Sequence, residues 1–344
     1  MNYEQLQEYL VSNQRVWLIT GVAGFIGSNL LEKLLTLNQK VVGLDNFDTG
    51  YQHNIDQAIK DASNISGRDV ERNFHFIRGD IREFNDCEKA CHGVDYVLNQ
   101  AALGSVPRSI EDPLSTNKTN IDGFLNILLC AQRAGVNRVV YAASSSTYGD
   151  SETLPKVEDV IGKPLSPYAV TKLVNEIYAE VFHRVYSLDS IGLRYFNVFG
   201  KRQDPLGSYA AVIPKWIDAI RNERECYIYG DGLTSRDFCF IDSVVQANIL
   251  AATTQKKEAF NQIYNIAYGE SHSLIDLHKE ICDIVSSNNK DLVIREPIYQ
   301  DFRDGDVRHS LADISKAKKL LGYRPTTNLS SGLKKTIEET LQIL

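Results

Sequence analysis

A glycine-rich turn near the start of the chain, T-G-V-A-G-F-I-G, limits the folds that this sequence can adopt. Before it, Val16 to Ile19 form a short apolar run typical of a buried strand, and after it a helical pattern of leucines begins at once. A strand that turns through glycines into a helix is the dinucleotide-binding arrangement. The first glycine permits the tight turn, the second lets a pyrophosphate approach the backbone, and the third lets helix and strand pack closely. The predicted cofactor contacts of this turn are Gly21, Gly24, Phe25, Ile26 and Gly27.

The next predicted strand carries an acid where a dinucleotide site needs one. Lys40 to Leu44 is apolar enough for a strand, and Asp45 follows it directly. A carboxylate at this point accepts hydrogen bonds from the adenosine ribose and repels a 2′-phosphate. The sequence therefore predicts NAD as the cofactor.

Strands and helices alternate through the first half of the chain, which predicts an α/β fold with a Rossmann-type, doubly wound parallel sheet. Further predicted strands are 74–78, 95–98, 138–143 and 190–195. Ligands of such sheets bind beyond the carboxyl ends of the strands. We therefore expect the residues that follow each strand to meet in one crevice.

The second half has shorter strand-like runs, at 227–229, 263–266 and 292–294, between longer loops and helices. No low-complexity linker separates the halves. We expect residues 1–200 to form the NAD-binding domain, with later segments, at about 234–262, returning to it. Residues 201–344 should form a smaller α/β lobe, interleaved with the first, that holds the substrate.

Charge and apolar patterning argue against several other classes of protein. The net charge of −7 and the lack of a basic run argue against a nucleic-acid surface. No apolar run approaches the length of a membrane span, and the acidic start is unlike a signal peptide, so we expect a cytoplasmic protein. Cys87, Cys91 and His92 fit a buried helical face with free thiols better than a metal site, and no metal is predicted.

A second motif, S-P-Y-A-V-T-K, supplies chemistry to the predicted crevice. Pro167 suits the first turn of a helix, which places Tyr168 and Lys172 one turn apart on the same face. An ammonium group near a phenol favours the phenolate and should lower the tyrosine pKa from about 10 toward neutral pH. Tyr168 is therefore predicted to act as a general base toward a substrate hydroxyl group.

With T-G-V-A-G-F-I-G and Y-A-V-T-K together, the chain resembles the extended short-chain dehydrogenase/reductase superfamily over nearly its whole length. Within it, the chain is most similar to nucleotide-sugar epimerases of the UDP-hexose 4-epimerase type. The resemblance implies that Tyr168 is the base, that Lys172 binds the nicotinamide ribose, and that Ser144 hydrogen-bonds the sugar O4. The further cofactor contacts that it implies are Asp45 and Asn46 at the adenosine ribose, Asp80 and Ile81 at the adenine, Gln100 and Ala101 on the nicotinamide side, and Asn120 and Tyr195.

The resemblance also implies a UDP-sugar site in the C-terminal half. Asn197 and two arginines, Arg236 and Arg303, would bind the diphosphate, since the arginine fork donates paired hydrogen bonds to phosphate oxygens. Asp306 would bind the uridine ribose, and Tyr227 would lie near the uracil. The remaining implied substrate contacts are Gly104, Ser105, Ser144, Ser145 and Ser310.

The expected reaction is interconversion of UDP-GlcNAc and UDP-GalNAc through a 4-keto intermediate, with NAD tightly bound. A small residue, Ser310, stands where relatives with tyrosine exclude a 2-acetamido group, and Gly104 and Ser105 could contact that group. The 4,6-dehydratases place Asp-Glu where Ser145 and Ser146 stand, which disfavours dehydration. A UDP-glucose/galactose or UDP-GlcNAcA 4-epimerase and a non-catalytic NAD- or nucleotide-sugar-sensing module remain alternatives. The resemblance further implies a homodimer.

Overall fold

The computed structural model of the chain describes residues 2–207, 209–289, 292–302 and 307–342. Its strands are β1 (Val16–Thr20), β2 (Lys40–Asp45), β3 (Phe74–Arg78), β4 (Tyr96–Asn99), β5 (Arg138–Ser144), β6 (Ser190–Tyr195), β7 (Val198–Phe199), β8 (Tyr227–Tyr229), β9 (Ser235–Arg236), β10 (Cys239–Phe240), β11 (Gln262–Ile266), β12 (His272–Ser273) and β13 (Ile298–Gln300).

The helices surround these strands and occupy most of the connections between them. They are α1 (Tyr3–Ser12), α2 (Phe25–Thr36), α3 (Gln52–Ser66), α4 (Phe84–Cys91), α5 (Val106–Glu111), α6 (Pro113–Asn117), α7 (Gly123–Ala134), α8 (Pro167–Tyr186), α9 (Val212–Arg221), α10 (Ile241–Thr253), α11 (Leu274–Asn288), α12 (Ser315–Leu321) and α13 (Leu329–Gln342). A π-helical turn, Lys118–Asp122, joins α6 to α7, and a 3₁₀ turn, Ser145–Tyr148, follows β5.

Seven strands form one parallel sheet in the order β11-β6-β5-β4-β1-β2-β3. The chain starts in the middle at β1, winds outward to β3, then returns through β4 and winds to the other edge. Helices cover both faces: α2, α3 and α10 pack on one, and α4, α7 and α8 on the other. The predicted doubly wound, Rossmann-type sheet is thereby confirmed.

The central strands consist of apolar residues because both faces of each strand are buried. Trp17, Leu18 and Ile19 of β1 are fully buried, because helices cover both sides of the sheet. On α2, four leucines turn toward this core, as the helical pattern after the glycine turn predicts: Leu30, Leu31, Leu34 and Leu35. The crevice that the glycine turn borders is therefore built on fully buried residues of the sheet and of α2.

Two expectations about the second half are wrong in detail. The run at 263–266 does not belong to the smaller lobe, because β11 pairs with β6 and becomes the edge of the main sheet. The segment that returns to the first domain thus extends past residue 262, to Ile266. The run at 292–294 forms no strand, since Val293 and Ile294 are exposed and have no buried face; the strand is β13, which pairs with β8.

Candidate active site

The three predicted catalytic residues come together where β5 meets the start of α8. Ser144 is the last residue of β5, and α8 begins with Ser166 as its N-cap and Pro167 in its first turn. This start places Tyr168 and Lys172 one turn apart, with the lysine Nζ 5.8 Å from the centre of the tyrosine ring. Lys172 Nζ donates a hydrogen bond of 2.8 Å to the Ala142 carbonyl of β5. The Ser144 hydroxyl acts on the Tyr168 phenol as a hydrogen-bond partner.

The protonation of this group differs from the sequence expectation. Burial raises the pKa of Tyr168, and the hydrogen bond with Ser144 opposes that rise. Burial also lowers the pKa of Lys172, to about 8. Withdrawal from water penalises the charged form of both side chains, the phenolate of Tyr168 and the ammonium of Lys172. The expectation that Lys172 lowers the Tyr168 pKa is therefore wrong.

The glycine turn forms a backbone cradle that is packed too closely to admit side chains. Gly21 has φ +69°, and a Cβ there would lie 2.8 Å from the backbone nitrogen of Ala101. A Cβ on Gly27 would lie 2.0 Å from the Gly21 carbonyl oxygen. Gly24 is the N-cap of α2 and makes no side-chain cap, so the first N–H groups of the helix, from Phe25 and Ile26 onward, face outward. This backbone fits a diphosphate, which binds such N–H groups.

Asp45 ends β2 beside this cradle and is buried. One carboxylate oxygen accepts from the Ala23 N–H at 2.9 Å and the other from the Phe47 N–H at 2.8 Å. Burial raises the pKa of Asp45, and these backbone donors oppose the rise. Each oxygen keeps a second lone pair, which fits a pair of ribose hydroxyls.

The predicted adenine side lies at the ends of β2 and β3. Asn46 donates through Nδ2 to Asp80 at 2.7 Å, which joins the two loops. Asp80 also forms an ion pair with Arg82 at 2.6 Å, and Ile81 is buried next to it. The structure thus places Asn46, Asp80 and Ile81 together, as the resemblance implies.

The predicted nicotinamide side contains a hydrogen-bond network that sequence reasoning missed in part. Tyr195 donates its hydroxyl to Gln100 Oε1 at 3.1 Å and accepts from Asn248 Nδ2 at 2.8 Å. Gln100 Nε2 in turn donates to Asn248 Oδ1 at 3.0 Å. Asn248 lies on α10 and is fully buried. No local motif marks it, because its partners come from distant strands.

Asn120, which was predicted to contact the cofactor, donates both of its amide hydrogens to other residues of the chain. It donates to the Leu103 carbonyl at 3.0 Å and to Thr171 Oγ1 at 3.1 Å, and its Oδ1 accepts from the Leu103 N–H at 2.8 Å. The side chain therefore fixes the loop after β4 against α8. A direct contact with the cofactor stays a prediction.

Three of the predicted substrate residues line one cavity of about 160 Å³ in the C-terminal lobe: Asn197, Tyr227 and Arg236. Asn197 has φ +31° and donates to the Asp237 carbonyl at 3.1 Å. The exposed Lys215 also lines this cavity, beside the N-terminus of α9, which has no side-chain cap. Sequence reasoning missed Lys215, since nothing local distinguishes it from other surface lysines. Arg303 and Asp306 lie outside the described residues.

The remaining predicted substrate residues lie in the loop after β4, in the turn after β5 and in the segment that is hydrogen-bonded to β9. Gly104 is exposed, and a Cβ there would meet no atom within 4 Å. Ser105 has φ +90° and caps α5. Ser145 opens the 3₁₀ turn after Ser144. Ser310 is half-buried; its N–H donates to the Ser235 carbonyl at 3.1 Å, a bond that leaves its hydroxyl unused.

A buried carboxylate next to Arg236 also escaped the sequence reasoning. Asp237 is fully buried and accepts from the N–H groups of Tyr268, Gly269 and Ala312 at 3.1 to 3.2 Å. Burial raises the pKa of Asp237 to about 6. This residue holds the loop that carries Arg236 to the segment that carries Ser310.

None of the helices in the described ranges is long and apolar enough to cross a membrane. The six cysteines are free and buried, and the described residues hold no group of three or more side chains suited to a metal.

Residues 17–267 match the model of the NAD dependent epimerase/dehydratase family. The chain is 35% identical to a putative UDP-glucose 4-epimerase of Methanocaldococcus jannaschii, over 93% of this chain and 96% of that protein. Its fold is similar to that of a UDP-N-acetylglucosamine 4-epimerase from Methanobrevibacter ruminantium, with a TM-score of 0.86, 35% identity, and coverage of 96% and 99% of the two chains.

A third relative has been solved with the cofactor. The UDP-glucuronic acid 4-epimerase of Bacillus cereus, in complex with UDP-glucuronic acid and NAD, has a TM-score of 0.82 and 30% identity, and the match covers 96% of this chain and 100% of that one. The three relatives act, by their names, on three different sugars. Their shared reaction and the cradle described above lead to one conclusion: the chain belongs to the NAD dependent epimerase/dehydratase family, as one of its nucleotide-sugar 4-epimerases.

Proposed function

We propose that the chain is a UDP-N-acetylhexosamine 4-epimerase, which interconverts UDP-GlcNAc and UDP-GalNAc through a 4-keto sugar. The similarity to the Methanobrevibacter ruminantium UDP-N-acetylglucosamine 4-epimerase supports this choice of sugar. The observation that carries it is Ser310, a small residue on the segment bound to the Arg236 loop.

The chemistry that NAD would supply when bound is reversible acceptance of a hydride from C4 of the sugar, with no net consumption of the cofactor. The glycine cradle, the N-terminus of α2 and Asp45 would hold it. Tyr168 takes the proton of the C4 hydroxyl and later gives it back. Ser144 donates a hydrogen bond to the same oxygen, and Lys172, buried beside the phenol, contributes positive charge when protonated.

The 160 Å³ cavity would hold the UDP part of the substrate. Arg236 and Lys215 supply positive charge to a diphosphate, and the uncapped N-terminus of α9 supplies backbone N–H groups. Tyr227 and Trp216 supply aromatic surface for the base. Because the chain carries a net charge of −7, this local cluster has to attract the anion.

The choice of an acetylated sugar rests on space. Ser310 has a short side chain. Its backbone N–H makes the hydrogen bond that anchors this segment to Ser235, and its hydroxyl takes no part in that bond. Gly104 borders open space and lies on the loop that Asn120 fixes to α8. A 2-acetamido group needs room of this kind, whereas a large residue at position 310 would fill it.

The test is a comparison of kcat/KM for UDP-GalNAc and UDP-galactose in the wild type and in Ser310→Tyr. Tyrosine should close the pocket to the acetylated sugar, because a packed wall cannot collapse around the added ring. We expect kcat/KM for UDP-GalNAc to fall at least ~10-fold, which corresponds to ~1.4 kcal/mol or more. The value for UDP-galactose should change little. Ser331→Tyr, at an exposed serine of α13, controls for the added aromatic surface.

The competing functions give different results in the same assay. A mutant that keeps its preference for UDP-GalNAc removes the support for an acetylated substrate. Faster turnover of UDP-glucose or UDP-GlcNAcA by the wild type would identify one of those sugars as the substrate instead. A non-catalytic sensor would turn over none of them, and Tyr168→Phe would then behave like the wild type.

We also propose that two copies pair through α8, in the cytoplasm. Val170, Ile177, Val181 and Val185 are exposed on this helix, between 37% and 65%, and form an apolar stripe. A second copy would bury it with the same residues on its own α8. Light scattering should give the mass of a dimer for the wild type and of a monomer for Ile177→Lys.

A further inference from the structure

Ser146 makes two contacts with the catalytic Ser144. Its N–H donates to Ser144 Oγ at 3.1 Å, because Ser144 caps the 3₁₀ turn. Its own hydroxyl lies 2.9 Å from the same oxygen. Ser146 is half-buried and stands two residues after Ser144, so both contacts come from the local turn.

These contacts restrict what the Ser144 hydroxyl can do. A serine hydroxyl has one proton to donate and two lone pairs that accept. When Ser146 donates both its N–H and its O–H to Ser144 Oγ, both accepting positions are used. The Ser144 proton then has to point away from the turn. The hydrogen-bond partner of Ser144 on that side is the Tyr168 phenol.

We propose that Ser146 is a positioning residue for proton transfer, which fixes Ser144 as a hydrogen-bond donor that serves the Tyr168 phenolate first and the sugar oxygen once that oxygen has lost its proton. The inference rests on the 4-epimerase function proposed above, in which Tyr168 is the base. A donor at this point stabilises the phenolate, and it also matches the oxygen of C4 while that oxygen loses its proton.

The donor matters because little else in the chain favours the phenolate. Burial raises the Tyr168 pKa, and the Ser144 hydrogen bond opposes the rise. Lys172, from the same helix, lies 5.8 Å from the ring centre and already donates to the Ala142 carbonyl. Burial further lowers the pKa of Lys172 to about 8, so part of its charge is lost in mildly alkaline solution.

The test compares Ser146→Ala and Ser146→Thr with the wild type in two measurements. The first is the pH dependence of kcat/KM for UDP-GlcNAc. The second is ultraviolet difference titration of Tyr168, with Tyr168→Phe used to identify its signal. Loss of one donor should raise the apparent pKa of the base by about one pH unit, which lowers kcat/KM roughly tenfold below that pKa. Threonine keeps the hydroxyl and should restore the wild-type profile.

Thr147→Val is the matched control from the same turn. The Thr147 hydroxyl donates to the Ser144 backbone carbonyl at 2.8 Å, not to its side chain. Its loss should lower stability without moving the pH profile. An unshifted profile and titration in Ser146→Ala would overturn the proposal, as would an equal shift in Thr147→Val. Should the wild type epimerise no UDP-sugar, the proposed function fails, while the titration still decides the role of Ser146.

Discussion

The Arg194 guanidinium forms a bidentate ion pair with the Glu176 carboxylate, at 2.8 and 2.7 Å, and both side chains are buried. Glu176 lies one turn after Lys172 on α8, and Arg194 lies on β6. The guanidinium also stacks on the ring of Tyr148, 4.8 Å from its centre. The pair therefore fixes the catalytic helix to the sheet at a point where water cannot replace either partner.

Glu176→Gln should lower the free energy of unfolding by ~3 kcal/mol, because it leaves the Arg194 charge buried without a counter-charge. Urea unfolding measures the loss. Glu180→Gln is the matched control, since Glu180 pairs with Arg184 on the exposed side of the same helix and should cost less than ~1 kcal/mol. Equal costs for the two variants would contradict the buried pair.

Lys172→Met should make the protein more stable while abolishing epimerase activity. A lysine whose pKa falls from 10.5 to about 8 on folding costs the folded state ~3 kcal/mol wherever it is protonated in both states. The cost is complete below pH 8 and disappears as the pH rises from 8 toward 10.5. Thermal unfolding at pH 7 and pH 10 measures the difference. The exposed Lys163→Met should show no such gain, and a less stable Lys172→Met at pH 7 would disprove the argument.

Asp237→Asn should weaken binding of the UDP-sugar with little effect on kcat. The carboxylate accepts from three backbone N–H groups, whereas an amide offers one oxygen and turns a donor toward the remaining N–H. We expect KM to rise about tenfold, as for one lost hydrogen bond of ~1.5 kcal/mol. Asp313→Asn is the control, because its one acceptor oxygen for the Ser315 N–H survives the change. An unchanged KM in Asp237→Asn would exclude a role in positioning Arg236.

The stability contributed by Asp237 should depend on pH in the direction opposite to most carboxylates. Its pKa rises from 3.8 to about 6 on folding, so the folded protein binds the proton more tightly than the unfolded chain. This contribution is complete below pH 3.8 and is lost as the pH rises through 6. Relative to Asp237→Asn, the wild type should therefore lose ~2.4 kcal/mol between pH 4 and pH 7. A constant difference across this range would mean that the carboxylate is not desolvated.

Local sequence patterns were enough to predict where the glycine turn, Asp45, Tyr168 and Lys172 lie, while their roles stay predictions. The glycine turn, the acid after β2 and the spacing of Tyr168 and Lys172 each depend on a few adjacent residues, and the structure brings each group together where expected. The strand positions of the parallel sheet followed in the same way, because burial on both faces requires continuous apolar runs.

Local sequence patterns could not predict contacts between distant residues or the burial of individual side chains. Asn248 reaches Gln100 and Tyr195 only after α10 packs on the sheet, and β11 reaches β6 only because the chain returns from the second lobe. The direction of the Tyr168 pKa shift depends on burial, which adjacency to Lys172 does not reveal.

The pairing of β11 with β6 makes the cofactor half of the molecule depend on a segment that is synthesised late. The five residues Gln262–Ile266 cover the outer edge of β6, and Tyr264 and Ile266 are fully buried there. Until they leave the ribosome, β6 is an open edge that can pair with another nascent chain. A fragment that ends near residue 200 should therefore aggregate, although it holds the glycine cradle, Tyr168 and Lys172.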